Sequence, residues 1–275
     1  MQTYACNHVA SAFTIVHERP VTIPAYIVII IAIRIMSSPI TVEIWSDIVC
    51  PFCYIGKRHF EQALQRFDHA ADVKIVWRSY QLDPDATYVA GRSVHEALAE
   101  KKGWTLDHAM QAGAHVTSMA QQAGLNYDFD RTIPANTFDA HRLIHLAAKH
   151  GLQDAAEERL FSAYFTEGRN IGDRDTLVAL GVELGLDAGE VGRMLDDGSL
   201  ADEVRQDIVE ASRIGVRGVP FFVFDRKYAV SGAQPNDVFL QTLQRSWDEA
   251  HQAMTIVDVP SASGAVCTDE GCTTD

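Results

Sequence analysis

Ile40-Thr41-Val42-Glu43-Ile44-Trp45 alternates apolar with more polar positions and is rich in β-branched residues, which predicts a strand over 40–45. The period changes at Pro51. Phe60, Ala63, Leu64 and Phe67 then recur at helical spacing, and a proline is tolerated in a first turn because its missing N–H has no partner there. Val73, Ile75 and Trp77 return to alternation, so the opening reads strand, helix, strand, a βαβ unit with an expected right-handed crossover.

From about 87 to 215 the periodicity is almost wholly helical. Phe138, Leu143, Ile144 and Ala147 form one apolar stripe, Leu177, Leu180 and Leu184 a second, and Leu200, Val204, Ile208 and Ala211 a third. Gly151, Gly172-Asp173 and Asp196-Asp197-Gly198 punctuate them as caps and turns. Gly218-Val219-Pro220 then breaks the helix. Phe221 to Phe224 and Tyr228 to Val230 read as a hairpin, and Pro235 opens a last helix carrying Phe239, Leu243 and Trp247 on one face. The pattern predicts an α/β chain: βαβ over 38–86, a large all-helical insertion over 87–214, and ββα over 215–254. An extension over 1–37 and a flexible tail over 255–275 flank it.

Composition changes this picture little. The chain has 275 residues, 47% hydrophobic and 22% charged, ordinary globular values. Its formal net charge of −14 argues against a nucleic-acid partner, whose phosphates are met mainly by Lys and Arg, and against an anionic membrane surface. Residues 25 to 33 form an apolar run ended by Arg34, well short of the ~20 residues a spanning helix needs, so no membrane insertion is expected. No Ala-x-Ala cleavage site follows it, and Met36 stands just before the first strand; we expect the folded enzyme to begin near Met36. Cys6, in that extension, is given no role.

The candidate chemistry lies in the cysteines. Cys50 and Cys53 flank Pro51 and Phe52 between a strand end and a helix start. A disulfide exchanger needs one thiolate to attack and a second thiol to resolve the mixed disulfide. Helix-start amides lower a thiol pKa from ~8.5 into a range of about 3.5 to 7.5, which favours the anion of Cys50 as nucleophile; Cys53, one turn in, is expected to be less exposed and less acidic. Half a zinc site and two inert core cysteines are the competing readings. The zinc reading lacks a second pair of Cys or His ligands near by, so no metal is expected unless the tail pair supplies it.

Trp45-Ser46-Asp47-Ile48-Val49-Cys50-Pro51-Phe52-Cys53, followed by Gly215-Val216-Arg217-Gly218-Val219-Pro220-Phe221, resembles the DsbA family of thioredoxin-fold oxidoreductases, and within it the FrnE-type branch. The likeness covers residues 40 to about 250 and implies a thioredoxin-like fold with the helical domain inserted between its halves. It implies that Pro220 is cis and faces the cysteines, whereas the sequence alone reads Pro220 as a strand starter. It also implies that the Val219 backbone pairs with an extended substrate strand, with Pro51 and Phe52 beside it. The stretch from Asn136 to Arg142 resembles one that borders the groove in FrnE-type relatives, which makes Asn136 and His141 candidate lining residues. The alternative is that Asn136 or Thr137 caps a helix and that His141 and Arg142 are solvated. Asp47 is a candidate proton relay for Cys53, or simply a turn former. Pro-Phe stands where the best-known periplasmic members have Pro-His, so oxidase, reductase and isomerase directions all stay open.

Cys267 and Cys272 are separated by four residues and can close a small loop; some FrnE-type relatives carry such a pair, and a secondary redox pair, a static disulfide and a metal clip are all open readings. The expected function is disulfide exchange on protein or peptide substrates in the cytoplasm, without a bound cofactor, with glutathione or a thioredoxin system as electron partner. Two alternatives are kept. One is a glutathione-dependent isomerase of the hydroxychromene-carboxylate isomerase type, against which Cys50 stands because that branch usually has serine there. The other is a non-catalytic module that holds unfolded segments.

Overall fold

In the computed structural model the described residues are 39–252, with the backbone of 266–268 and 271–273. The apolar run at 25–33, Cys6 and Met36 lie outside them. Four strands form one sheet in the order β2-β1-β3-β4, from β1 (Ile40–Ser46), β2 (Val73–Ser79), β3 (Phe221–Phe224) and β4 (Tyr228–Ser231). β1 runs parallel to β2, with Ile44 opposite Trp77, and antiparallel to β3, with Ile44 opposite Phe222; β3 and β4 are the expected hairpin.

Helix α1 (Pro51–Gln65) links β1 to β2 and lies against the same sheet face as the last helix, α9 (Asn236–Ala250). The alternation explains why. Ile40, Val42 and Ile44 of β1 point into this core together with Phe222 and Phe224, where Phe60 and Phe239 meet them ring to ring. Aromatic pairs of this kind add roughly 0.5–1.5 kcal/mol beyond the area they bury.

Between β2 and β3 come α2 (Val94–Lys102), α3 (Leu106–Gln122), α4 (Phe138–Lys149), α5 (Gln153–Phe165), α6 (Arg174–Glu183), α7 (Ala188–Asp197) and α8 (Ala201–Arg213). The expected punctuation holds: Asp173 caps α6 through its carboxylate, and Gly198 ends α7 at φ 73°, in the left-handed region that glycine tolerates. Two of these helices close the sheet. Gln153 at the start of α5 completes the outer edge of β2, accepting from the Trp77 N–H at 3.2 Å and donating to its carbonyl at 2.9 Å. Helix α8 covers the second face, where Trp45, Ala211, Val216 and Val223 pack and the Trp45 indole donates to the Asp207 carbonyl at 3.0 Å.

That second face carries charge. Glu43, buried on β1, pairs with Arg78 and Arg226, and Arg78 reaches on to Asp207 at 3.0 Å. The third stripe was expected to turn Ile208 inward; Asp207 is the more deeply buried of the two, because it receives the Arg78 guanidinium and the Ser79 N–H. No helix among the described residues is long and apolar enough to cross a membrane.

The tail contributes a two-stranded antiparallel pair, β5 (Val266–Thr268) and β6 (Gly271–Thr273), with Cys267 opposite Cys272 in register. Facing residues of antiparallel strands have Cα atoms ~4.5–5.5 Å apart, inside the reach of a disulfide.

Candidate active site

Cys50 is the N-cap of α1, extended at φ −86° and ψ 112°, with Pro51 at the first helical position. A tight turn sets it there: the Cys50 N–H donates to the Asp47 carbonyl at 2.9 Å and the Cys53 N–H to the Cys50 carbonyl at 3.0 Å. Cys50 therefore stands at the positive end of the helix, where the first-turn amides have no partner within the helix. Opposite it the Val219–Pro220 peptide is cis, as the resemblance implies and the sequence alone did not. The Cys50 thiol donates to the Val219 carbonyl at 3.5 Å.

Helix α1 comes this close to Pro220 because residue 56 is glycine. A Cβ at Gly56 would stand 3.0 Å from Pro220 Cγ and 3.5 Å from both Ala233 Cα and Phe222 Cζ. Phe52 faces outward, 38% exposed, while Tyr127 from the inserted segment donates its hydroxyl to the Pro51 carbonyl at 2.8 Å. The Tyr127 ring stacks on Phe165 at 4.4 Å, and Tyr54 of α1 stacks on Phe161 at 4.7 Å, so aromatic rings bind the cysteine-bearing helix to α5.

Cys53 is sealed off. Burial pushes its thiol well above the ordinary range, with the hydrogen bond and charge of Cys50 adding to the rise and the Asp47 backbone and Ser46 hydroxyl opposing it. Cys50 is buried as well, so the two sulfurs do not differ in exposure as expected.

Asp47 is fully buried at the end of β1. Its Oδ2 accepts from the Leu82 N–H at 2.7 Å, a bond to the segment after β2 and not within its own turn, while Oδ1 has no hydrogen-bond partner and stands 3.6 Å from His141 Nε2. His141 and Arg142 are both buried, which excludes the solvated alternative: His141 Nε2 lies 2.9 Å from the Tyr80 carbonyl, and Arg142 holds the Ser199 carbonyl at 2.8 Å. Thr137 occupies the N-cap position of α4 without a side-chain bond, and Asn136 supplies the cap instead, accepting from the Phe138 N–H at 2.9 Å. The Asn136 amide also donates to the Pro84 carbonyl at 2.8 Å. Asn136 and His141 thus tie the segment after β2 to α4, with His141 beside Asp47.

Sequence reasoning missed three residues here. Lys57, on the buried side of α1, is desolvated, yet Asp154, Glu61 and Glu158 outweigh that cost and raise its pKa. Ser46 and Glu157 are buried, and Ser46 Oγ and Glu157 Oε1 have no hydrogen-bond partner. Glu157 sits one turn before Leu160 and Phe161, within the apolar stripe of α5, and that placement was the available signal. Among the described residues no group of three or more His, Cys, Asp or Glu side chains is placed to hold a metal ion.

A cysteine at a helix N-cap, facing a cis-proline loop on a four-stranded mixed sheet, defines a thioredoxin-like protein with a helical insertion. Its family follows from direct comparison: the model of the DSBA-like thioredoxin domain matches residues 41–244, and the chain belongs to that family. A probable DsbA oxidoreductase of Streptomyces coelicolor is 40% identical in sequence and superposes with a TM-score of 0.73, covering 86% of this chain and 99% of that one. The uncharacterised protein YwbO of Bacillus subtilis is 29% identical over 200 residues, 72% of this chain and 92% of its own length. The cytosolic disulfide reductase DsbM of Pseudomonas aeruginosa shares the fold at 22% identity and a TM-score of 0.52, over 74% of this chain and 98% of its own.

Proposed function

We propose that this chain exchanges disulfides with protein or peptide substrates, Cys50 acting as nucleophile and Cys53 as resolving thiol. One observation carries the reading. Cys50 sits at the helix N-cap with its sulfur against the Val219 carbonyl, and Cys53 is buried one turn behind it. An extended substrate segment would pair with the backbone at Val219 and Pro220 and pass over Pro51 and Phe52 to bring its sulfur to Cys50. Asn136 and His141 support the floor of that groove.

Glutathione or a thioredoxin-type dithiol is the proposed electron partner, and the cytoplasm is the compartment in which such a pair turns over catalytically rather than as a structural bond. We assign the chain to the FrnE-type branch on its tail pair. Cys267 and Cys272, opposite one another in register, would then act as a secondary redox pair, and deleting residues 261–275 should change turnover with protein disulfides. The glutathione-dependent isomerase reading is set aside because Cys50 occupies the position where that branch usually has serine.

The test is equilibration in glutathione buffers with titration of free thiols, alongside turnover of a disulfide reporter by wild type and Cys50→Ser. A reversible two-electron couple that Cys50→Ser abolishes is the expected result. A wild-type protein that binds unfolded peptide but exchanges no disulfide would instead establish the non-catalytic module.

A further inference from the structure

The turn after β4 joins the helix that carries Cys50 to the loop that faces it, and the two-thiol scheme leaves this link without a role. Gly232 follows β4, and its N–H donates to the Pro220 carbonyl at 2.8 Å, one step beyond the Phe221–Ser231 pair of the hairpin. The turn then closes on itself. The Gln234 N–H donates to the Gly232 carbonyl at 2.9 Å, and the Gln234 side-chain amide donates to the Ser231 carbonyl at 2.9 Å. Gly232 allows this at φ 83°, a backbone conformation that a side chain would strain.

The Gln234 carbonyl meets α1, where His59 Nδ1 lies 2.9 Å away. A carbonyl oxygen only accepts, so Nδ1 carries the hydrogen. The imidazolium has a hydrogen on both nitrogens, so this bond persists whether the ring is neutral or protonated.

Helix α1 thus meets the Val219–Pro220 loop at three points, which hold it in different ways. The Cys50 thiol donates to the Val219 carbonyl, but a thiolate has no hydrogen to donate, so that bond is lost when Cys50 attacks. Gly56 lets the Pro220 ring approach and holds nothing. His59, about 13 Å beyond Cys50 along the helix, makes the directional bond that remains during the reaction.

We propose that His59 is a positioning residue for the exchange of peptide disulfides. By holding the Gln234 carbonyl it fixes the turn over 232–234 and, through Gly232, the Pro220 carbonyl. The Val219 backbone then stays in register with Cys50 for an extended substrate segment. This rests on the exchange reading above. A small disulfide with no backbone to pair does not need that register. The start of α9 is tied to α1 separately, by Arg66 on Asp237 at 2.7 Å and Asn236 on Gln62 at 3.2 Å.

The experiment uses the full chain with Cys6, Cys267 and Cys272 replaced by serine, so that only Cys50 and Cys53 react. Reduced protein is mixed in a stopped-flow cell with a short peptide whose one cysteine is in mixed disulfide with nitrothiobenzoate. A parallel series uses the chromogenic disulfide of nitrothiobenzoate itself. His59→Ala should lower kcat/KM for the peptide about fivefold, carried by KM with kcat kept, and change the rate with the small disulfide less than about twofold. His59→Asn places an amide N–H where Nδ1–H stood and should restore the peptide rate to within about twofold of wild type. Arg66→Ala loosens the same two helices farther along the chain from Pro220 and should match wild type with both reagents. A peptide rate unchanged in His59→Ala, an equal loss with both reagents, no recovery in His59→Asn, or the same loss in Arg66→Ala overturns the positioning role. A wild-type protein that reacts with neither reagent, or a Cys50→Ser variant that keeps the wild-type rates, overturns the exchange reading and this role with it.

Discussion

The two cysteines stand three positions apart on one helix, yet their surroundings are built from different material. Cys50 is surrounded by backbone: first-turn amides, the Asp47 carbonyl that fixes its turn, and the Val219 carbonyl before a cis-proline. Cys53 is buried with Ser46 acting on its thiol, and the inserted helices contribute buried polar groups of their own, Glu157 and His141. The first environment comes with the thioredoxin-like fold. The buried polar groups of α4 and α5 come with the insertion.

The largest effect that separates the two sides should come from Cys53→Ser. If Cys50 draws its reactivity from backbone alone, its attack on a disulfide persists in this variant while resolution stops. With Cys6, Cys267 and Cys272 replaced by serine in both proteins, mixing with the chromogenic disulfide should then release one nitrothiobenzoate per protein instead of two, and multiple turnover should fall roughly 10³-fold or more. Mass spectrometry would find the trapped adduct on Cys50. Loss of the first release as well would mean that the two sulfurs are not separable in this way.

The same contrast decides what could be read in the sequence. The strands, α1, the hairpin and α9 were legible because each has its own period and its own breaker, as at Pro51, Pro220 and Pro235. Cys50 was legible because its environment is local, a strand end followed by a helix start. The polar floor was not. Glu157 stands in Ala156-Glu157-Glu158, which reads as a solvated acidic pair, and only the packing of α5 against β2 and α1 separates the buried Glu157 from Glu158, which instead pairs with Arg58 and Tyr54. Glu43 shows the same limit on the opposite face: alternation turns it away from the main core, but α8 covers that face and buries it. The closeness of Gly56 to Pro220 joins segments over 160 residues apart, which no local pattern encodes.

A second, smaller effect concerns stability. Folding raises the Glu157 carboxyl from 4.5 to about 7, so between those values the native state binds the proton more tightly than the unfolded chain does. Stability therefore falls as pH rises through this window and levels off above it, the opposite of a salt-bridged carboxylate. At about 1.4 kcal/mol per pH unit, the loss approaches about 3 kcal/mol. Glu157→Gln carries no such charge, and its stability relative to wild type should improve by about that much between pH ~4 and pH ~8 in urea unfolding. A gap that stays constant with pH would mean that Glu157 is not a desolvated acid.

The smallest effect probes a contact by which the insertion reaches the Cys50 side. Tyr127 donates its hydroxyl to the Pro51 carbonyl, while its ring is held by stacking on Phe165 and Tyr54. Tyr127→Phe removes the hydrogen bond and keeps the stack, so stability should fall by about 1 kcal/mol, the usual net worth of such a bond. If backbone alone governs Cys50, its alkylation rate should change less than about twofold, because α1 stays anchored through Tyr54 and Gly56. A tenfold change would show that the inserted segment tunes the first sulfur too, and the division between a backbone-built thiol and a side-chain-built one would no longer hold.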